Sequence, residues 1–397
     1  MNPLSDNVNR LQPSATLAMT AKSMELQAQG IDVITLSVGE PDFPTPTHIK
    51  EAGKKAIDDG WTRYSPGMGY MDLRQAIVRK LQRENGLDYK PEQIVVSNGA
   101  KQSVCNAIMA LAGAGDEVLI PAPYWVSYPQ MVLLSGATPV VIPTTFESGF
   151  KVTPEQLEAA ITPRTKAIVI CSPSNPTGAV YTQAEFNALA QVLQRHTQVF
   201  VIADEIYEHI NYLGTHASMA KSPDMLERTV IINGVSKAYA MTGWRIGFMA
   251  GPVWLAKACN KLQGQYTSGP CSVSQKAALV AFDGPQECVE TMRQAFQRRR
   301  DLIVSLAKQV PGFEVNVPDG AFYIFPKCNA LFGKKNGRWT IANSTDLAMY
   351  LLEYAHVSTV GGDAFGDPDC IRLSYATSEA NIEEAMRRIK KVIEELA

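Results

Sequence analysis

The runs Ala167-Ile168-Val169-Ile170-Cys171 and Val199-Phe200-Val201-Ile202-Ala203 decide the fold class. Neither alternates apolar with polar residues, so neither strand has a side meant for water. Strands buried on both sides belong to parallel sheets whose connecting helices cover both faces. Working outward, β-rich runs stand at Gln93–Ser97, Glu117–Pro121, Pro139–Pro143, Lys166–Cys171, Gln198–Ala203, Thr229–Asn233 and Arg245–Ala250. Helical patterns separate them at Gly99–Leu111, Trp125–Ser135, Thr182–Arg195 and Pro252–Leu262. This alternation predicts an α/β domain around a mostly parallel sheet with helices on both faces.

The two ends read differently. Asn2–Thr20 looks irregular, and Ala15–Gln29 looks helical up to Gly30. A long helical stretch, Cys288–Val310, stops at Pro311-Gly312. Short strands follow at Phe313–Val317, Ala321–Pro326 and Ile371–Tyr375. The last helix, Ser378–Leu396, places Ile382, Ala385, Met386, Ile389 and Val392 on one stripe. Neither end forms a self-sufficient core. The expectation is a large domain over 46–290 and a smaller α+β domain built from 1–45 and 291–397.

Composition narrows the function. The chain has 397 residues, 46% hydrophobic and 19% charged, a globular composition. Lys+Arg is 37 against 39 Asp+Glu, a net charge of −2, which argues against a global grip on nucleic acid or an anionic membrane. No apolar run approaches the roughly 18–20 residues of a membrane span. Met1–Arg10 lacks the pattern of a secretory signal, so a cytoplasmic location is expected. The seven cysteines form no C-x-x-C pair and the five histidines no H-E-x-x-H, so neither a disulfide framework nor a metal site is expected.

Ligands of open parallel sheets bind beyond the carboxyl ends of the strands. Four strand ends carry chemistry. After Gln93–Ser97, Asn98-Gly99-Ala100-Lys101 opens a helix, where small residues and free N–H groups suit an anion. After Lys166–Cys171, Ser172-Pro173-Ser174-Asn175-Pro176-Thr177-Gly178 forms a conformationally restricted loop. Asp204 and Tyr207 follow the apolar run ending at Ala203, where a carboxylate is costly without a cation. Ser236 and Lys237 follow Thr229–Asn233, with Arg245 beyond; a lysine there is a candidate for a depressed pKa and a Schiff base. Singly, each feature suits an ordinary strand–helix connection. Together they call for one ligand with an aldehyde for Lys237, a protonated ring nitrogen for Asp204, a phenolic oxygen for Asn175 and Tyr207, and a phosphate for the Gly99 loop and Arg245. Pyridoxal 5′-phosphate has all four.

The segment Gly234-Val235-Ser236-Lys237-Ala238-Tyr239-Ala240-Met241-Thr242-Gly243-Trp244-Arg245-Ile246-Gly247 resembles the cofactor-attachment signature of class I pyridoxal-phosphate aminotransferases. The resemblance extends over nearly the whole chain. It includes Pro13-Ser14-Ala15-Thr16, Gly39-Glu40-Pro41-Asp42-Phe43, Tyr64, Tyr124-Trp125-Val126-Ser127-Tyr128-Pro129, Asn175-Pro176-Thr177-Gly178 and Asp204-Glu205-Ile206-Tyr207-Glu208. It continues through Gly320-Ala321-Phe322-Tyr323 and Arg372-Leu373-Ser374-Tyr375-Ala376-Thr377. The bacterial aspartate aminotransferase subgroup is the most similar.

The resemblance implies residue roles. Lys237 would carry the cofactor and then move the proton. Asp204 would keep the pyridine nitrogen protonated, and Asn175 and Tyr207 would hold the ring oxygen. Trp125 would stack on the ring. Gly99, Ala100 and Arg245 would hold the phosphate, with Lys101 and Ser236 beside it and Tyr64 contributed across a homodimer interface. Arg372 would grip the substrate α-carboxylate bidentately against Gly39. Lys101, with Ser14 and Thr16 closing over it, would take the distant carboxylate of aspartate. Small-molecule amino acids and 2-oxo acids are then the partners, and the expected reaction is ping-pong transamination from L-aspartate to 2-oxoglutarate. Aromatic amino acids or prephenate are alternative substrates, though Gln12 stands where some prephenate-active relatives carry Lys. A pyridoxal-phosphate lyase acting at the β or γ carbon, and a non-catalytic regulator, are the rival classes. Gly234 replaces the serine that several relatives place there, and Cys171 is expected in the core.

Overall fold

The computed structural model describes residues 3–397; Met1 and Asn2, the start of the expected smaller domain, lie outside the described residues. The main sheet comprises β1 (Ile94–Asn98), β2 (Glu117–Ala122), β3 (Thr138–Pro143), β4 (Thr165–Cys171), β5 (Phe200–Asp204), β6 (Thr229–Gly234) and β7 (Ile246–Ala250). Its spatial order is β1-β7-β6-β5-β4-β2-β3. Strand β7 runs antiparallel to both its neighbours, while the other pairs are parallel. The carboxyl ends of β1, β4, β5 and β6 therefore share one edge with the start of β7. That brings Asn98, Cys171, Asp204, Gly234 and Arg245 to one side of the sheet.

The unbroken apolar runs have the expected cause. Ile202 joins Val169 and Val118 in one buried cluster, under helices Ala100–Leu111 and Val253–Tyr266. Its neighbours Val201 and Ala203 join Ile168 and Ile170 in another, under helix Gln183–Arg195. Each buried Ile or Val contributes about 1.5–3 kcal/mol, so a polar residue on either side would be costly.

Residues from both chain ends share a third cluster, in which Met19, Val33 and Leu36 pack with Phe296, Ile303 and Ile389. Ile34–Thr35 pairs in parallel with Val357–Ser358, and Ile371–Ser374 lies between Val360–Gly361 and Tyr323–Ile324. The final helix, Glu379–Glu394, buries the expected stripe.

Three local expectations change. The N-terminal segment is not wholly irregular: it holds a short helix, Asp6–Asn9, and Ser14 caps helix Ala15–Ala28. No strand forms over Phe313–Val317; Glu314 makes a lone bridge to Lys327, and Asn316 is instead anchored by its side chain to the Phe146 carbonyl at 3.0 Å. The strand expected over Ala321–Pro326 shrinks to Tyr323–Ile324, because Ala321 sits at a left-handed φ of 55° that breaks the ladder.

A polar cluster behind β5 fixes the turn that follows it. Asp204 and Tyr207 face forward, and Glu205 and Glu208 point back. Glu208 accepts from the buried Lys80, from Asn233 at 2.7 Å and from Asn85 at 3.3 Å. Glu205 accepts from the Ser218 hydroxyl at 2.6 Å and lies 3.1 Å from His216. Glu205, Glu208 and His216 come within 4.8 Å of one another, but Lys80 and two amides occupy Glu208, so the group reads as an ion network anchoring the turn.

Burial works against a charge on His216, yet Glu205 and Glu208 together raise the imidazole above its ordinary value. A raised folded-state pKa stabilises fully below the unfolded value of about 6.5 and loses its contribution as pH climbs through the folded value. His216→Gln should therefore cost about 1–3 kcal/mol near pH ~6 and clearly less near pH ~9, read from urea midpoints. An equal cost at both would mean that the imidazolium charge does not hold this turn.

Candidate active site

A cavity of about 460 Å³ opens at the shared strand edge. Lys237, Asp204, Tyr207 and Asn175 line it, as do Trp125, Ala100, Lys101, Ser236 and Arg245. Gly39, Arg372, Ser14 and Thr16 line it as well. Two sequence candidates do not. Gly99 lies against Arg245, and Tyr64 points to solvent, 97% exposed.

One corner is shaped for an anion. Gly99 has φ 81°, and a Cβ there would fall 2.3 Å from Arg245 Nη2. Arg245 donates to the carbonyls of Thr242 at 2.9 Å and Asn98 at 3.2 Å, and among the described residues no carboxylate pairs with it. Helix Ala100–Leu111 begins here, leaving its first N–H groups without helical partners. The backbones meet closely: a Cβ on Gly247 would fall 2.1 Å from the Ala100 nitrogen, and one on Gly234 2.7 Å from the Ile246 carbonyl oxygen. A side chain at position 234 would require one of these backbones to shift.

The middle of the cavity pairs a lysine with an acid. Lys237 Nζ donates to the Gly39 carbonyl at 2.6 Å. Burial lowers its pKa to about 8; Glu40 and Asp204 oppose the shift, while Arg245 and Arg372 add to it. An amine so placed is partly neutral near physiological pH and able to act as nucleophile or base. Asp204 is 4% exposed. Burial raises its pKa to about 6, against donors from the Tyr128 hydroxyl at 2.6 Å and the Ile206 N–H at 3.3 Å.

The far wall holds Arg372, 2% exposed on strand Ile371–Ser374. Its Nη1 donates to Asn175 Oδ1 at 2.9 Å and its Nη2 to the Ser37 carbonyl, while Nε has no partner. Tyr323 and Phe365 flank the guanidinium at 4.7 and 4.9 Å. Tyr323 also shares a hydrogen bond with Tyr207 at 2.8 Å between hydroxyls. Lys101 lies 5.0 Å from the Trp125 ring centroid, and among the described residues no carboxylate pairs with it. Burial, helped by Arg245, lowers its pKa.

Sequence reasoning gives Tyr323 and Tyr128 no part, yet both phenols are buried at the cavity with hydroxyl partners. Tyr128 lies in Tyr124–Pro129 and Tyr323 in Gly320–Tyr323, two of the segments that carry the resemblance, and that was the available signal. Cys171 also differs from expectation: it packs against the core but lines the cavity too, because β4 ends level with Asp204.

The donor set fits pyridoxal phosphate. Arg245 is a cation without a carboxylate partner, the Gly99 cradle excludes a side chain, and the buried Asp204 lies in the same cavity as Lys237. A buried carboxylate at Asp204, an amine of lowered pKa at Lys237 and an anion-shaped corner at Arg245 are the features of a pyridoxal-phosphate enzyme.

The chain belongs to the class I and II aminotransferases, whose family model matches residues 31–389. It is 52% identical over 392 residues to the aspartate/prephenate aminotransferase of Cereibacter sphaeroides, covering 98% of both chains. The aspartate aminotransferase from Rhizobium meliloti superposes with a TM-score of 0.96 at 45% identity, over 100% of each chain. The aspartate aminotransferase from Thermus thermophilus with maleate gives 0.92 at 42%, over 99% of this chain and 100% of that one. Pyridoxal phosphate is the cofactor, and amino acids and oxo acids are the substrates. No helix among the described residues is long and apolar enough to cross a membrane.

Proposed function

We propose that the enzyme transfers the amino group of L-aspartate to 2-oxoglutarate by a ping-pong mechanism, giving oxaloacetate and L-glutamate. The observation that carries this reading is Lys101, a cation without a carboxylate partner in the same cavity as the buried Arg372. Two such cations suit a dicarboxylate: Arg372 takes the carboxylate common to all amino acids, and Lys101 the second one. Maleate, the dicarboxylate named with the Thermus relative, is in keeping with it.

The residues divide the work. Pyridoxal phosphate, when bound, supplies the electron sink for charge developing at the substrate α-carbon. Lys237 Nζ holds the cofactor and moves the α-proton, a task its lowered pKa suits. Asp204 partners the ring nitrogen, and Asn175 and Tyr207 the ring oxygen. Trp125 covers the ring face. Gly99, Ala100, Ser236 and Arg245 hold the phosphate, joined by the partner subunit's Tyr64 in a homodimer, a part that its exposure on a single chain favours. Arg372 orients the α-carboxylate beside Gly39, and Ser14 and Thr16 exclude water on the open side. The large domain is 46–290 and the smaller one both chain ends, a division supported by their shared apolar cluster.

A second reading, prephenate as amino acceptor, is favoured by the printed name of the Cereibacter relative. Lys101→Ala tests the dicarboxylate reading. It should raise KM for aspartate and 2-oxoglutarate roughly 10–100-fold, as loss of one charged contact does, while phenylalanine is little affected. A uniform loss across all amino acids would remove Lys101 from substrate selection. Comparing prephenate with 2-oxoglutarate as acceptor ranks the two readings.

A further inference from the structure

We infer that Tyr128 is a positioning residue that keeps Asp204 ionised and aimed, and so sets how strongly the protein holds a proton on the cofactor's ring nitrogen. The inference rests on the reading of Asp204 as partner of that nitrogen. Its starting point is one hydrogen bond. Tyr128 Oη lies 2.6 Å from Asp204 Oδ2, and both side chains are buried, at 2% and 4% exposure. A carboxylate has no proton to give, so with Asp204 ionised the phenol is the donor.

Tyr128 is placed by the same turn as Trp125. Its N–H bonds the Trp125 carbonyl at 3.0 Å, in the first turn of helix Ser127–Ser135. The two rings meet edge to face with centroids 5.3 Å apart. One short segment thus carries the aromatic cover proposed for the ring and the donor to the acid beneath the ring nitrogen.

The other groups facing Asp204 do not replace this donor. They are Cys171 on the neighbouring strand, Glu205 beside it, and Lys237 across the cavity. The Cys171 thiol donates to the Pro173 carbonyl at 3.3 Å. Glu205 opposes a second negative charge, and Lys237 donates to the Gly39 carbonyl. The Ile206 N–H, at 3.3 Å, is the other donor to the carboxylate.

The consequence concerns one proton shared between two acceptors. It resides on the ring nitrogen if Asp204 is a carboxylate and on Asp204 if the ring nitrogen is neutral. A donor to the carboxylate favours its charged form, and therefore the charged ring. Without Tyr128 the proton shifts toward Asp204, the ring loses positive charge, and the electron sink weakens. A less positive ring also lets the Lys237 nitrogen keep its proton to higher pH.

Tyr128→Phe keeps the ring contact with Trp125 and removes only the hydroxyl. In the cofactor-free protein, carboxyl-carbon NMR should show the Asp204 midpoint rising by roughly one to two pH units, the size of a lost hydrogen bond to a charge. In the holoenzyme the pH midpoint of the cofactor's visible absorption should rise too, with kcat falling roughly tenfold and KM little changed. Asp204→Asn is the companion variant: Tyr128→Phe should move nothing further in that background. If Asp204→Asn alters the spectrum and Tyr128→Phe does not, the inference about Tyr128 is wrong and the reading of Asp204 stands. If neither alters it, the reading of Asp204 has failed. Should Tyr128→Phe fold poorly, the same NMR midpoint is read in Tyr128→Leu, which offers no donor at all; an unmoved midpoint there overturns the inference.

Discussion

Lys237→Ala should lower turnover by roughly ten-thousand-fold or more, because the proposed mechanism assigns both the nucleophile and the base to this one side chain. The geometry makes substitution from elsewhere difficult. Lys101 is placed over Trp125, Arg245 is tied to the Thr242 and Asn98 carbonyls, and Arg372 is tied to Asn175 and the Ser37 carbonyl. The variant should still fold, since Lys237 faces the cavity and its bond to the Gly39 carbonyl is replaceable by water. Cofactor should remain bound through the phosphate corner but be removable by dialysis. Steady-state rates with absorption spectra check both parts. Near-normal turnover would remove Lys237 from the chemistry.

Arg372→Lys carries the second large effect. Its guanidinium bonds Asn175 and the Ser37 carbonyl and sits between Tyr323 and Phe365, so its orientation is set before substrate arrives. A lysine keeps the charge but cannot hold those anchors and also present two parallel donors. The expected loss in kcat/KM is about 100-fold, equivalent to about 2.7 kcal/mol, and similar for every amino and oxo acid, because all carry the same carboxylate. Stopped-flow rates with aspartate and phenylalanine test this. A loss confined to aspartate would place the side-chain carboxylate, not the α-carboxylate, at Arg372.

These two residues also mark the limit of what sequence reveals. Lys237 was legible because it follows an apolar run, and the strand β6 does end three residues before it. Asp204 was legible for the same reason, although it proves to be the last residue of β5 rather than the first beyond it. Arg245 was readable as cationic, but its place at the shared edge depends on β7 running backwards, which periodicity does not encode. Arg372 entered by resemblance alone; its anchors at Ser37 and Asn175 come from distant parts of the chain. Tyr128 was hidden for the same reason, since its partner lies on another element. Helix Thr47–Asp58, left out of the sequence reading, buries only Ile49, Gly53 and Ala56, too thin a stripe to stand out.

Amino-group transfer in two separate halves at this cavity is tested most directly by one single-turnover measurement. Enzyme carrying the aldehyde form of the cofactor is mixed with L-aspartate and no oxo acid, and absorption and products are followed. The expected result is conversion of the cofactor to its amine form with one oxaloacetate per active site, reversed when 2-oxoglutarate is added. Continuous release of ammonia and pyruvate, or no conversion with aspartate, would contradict it.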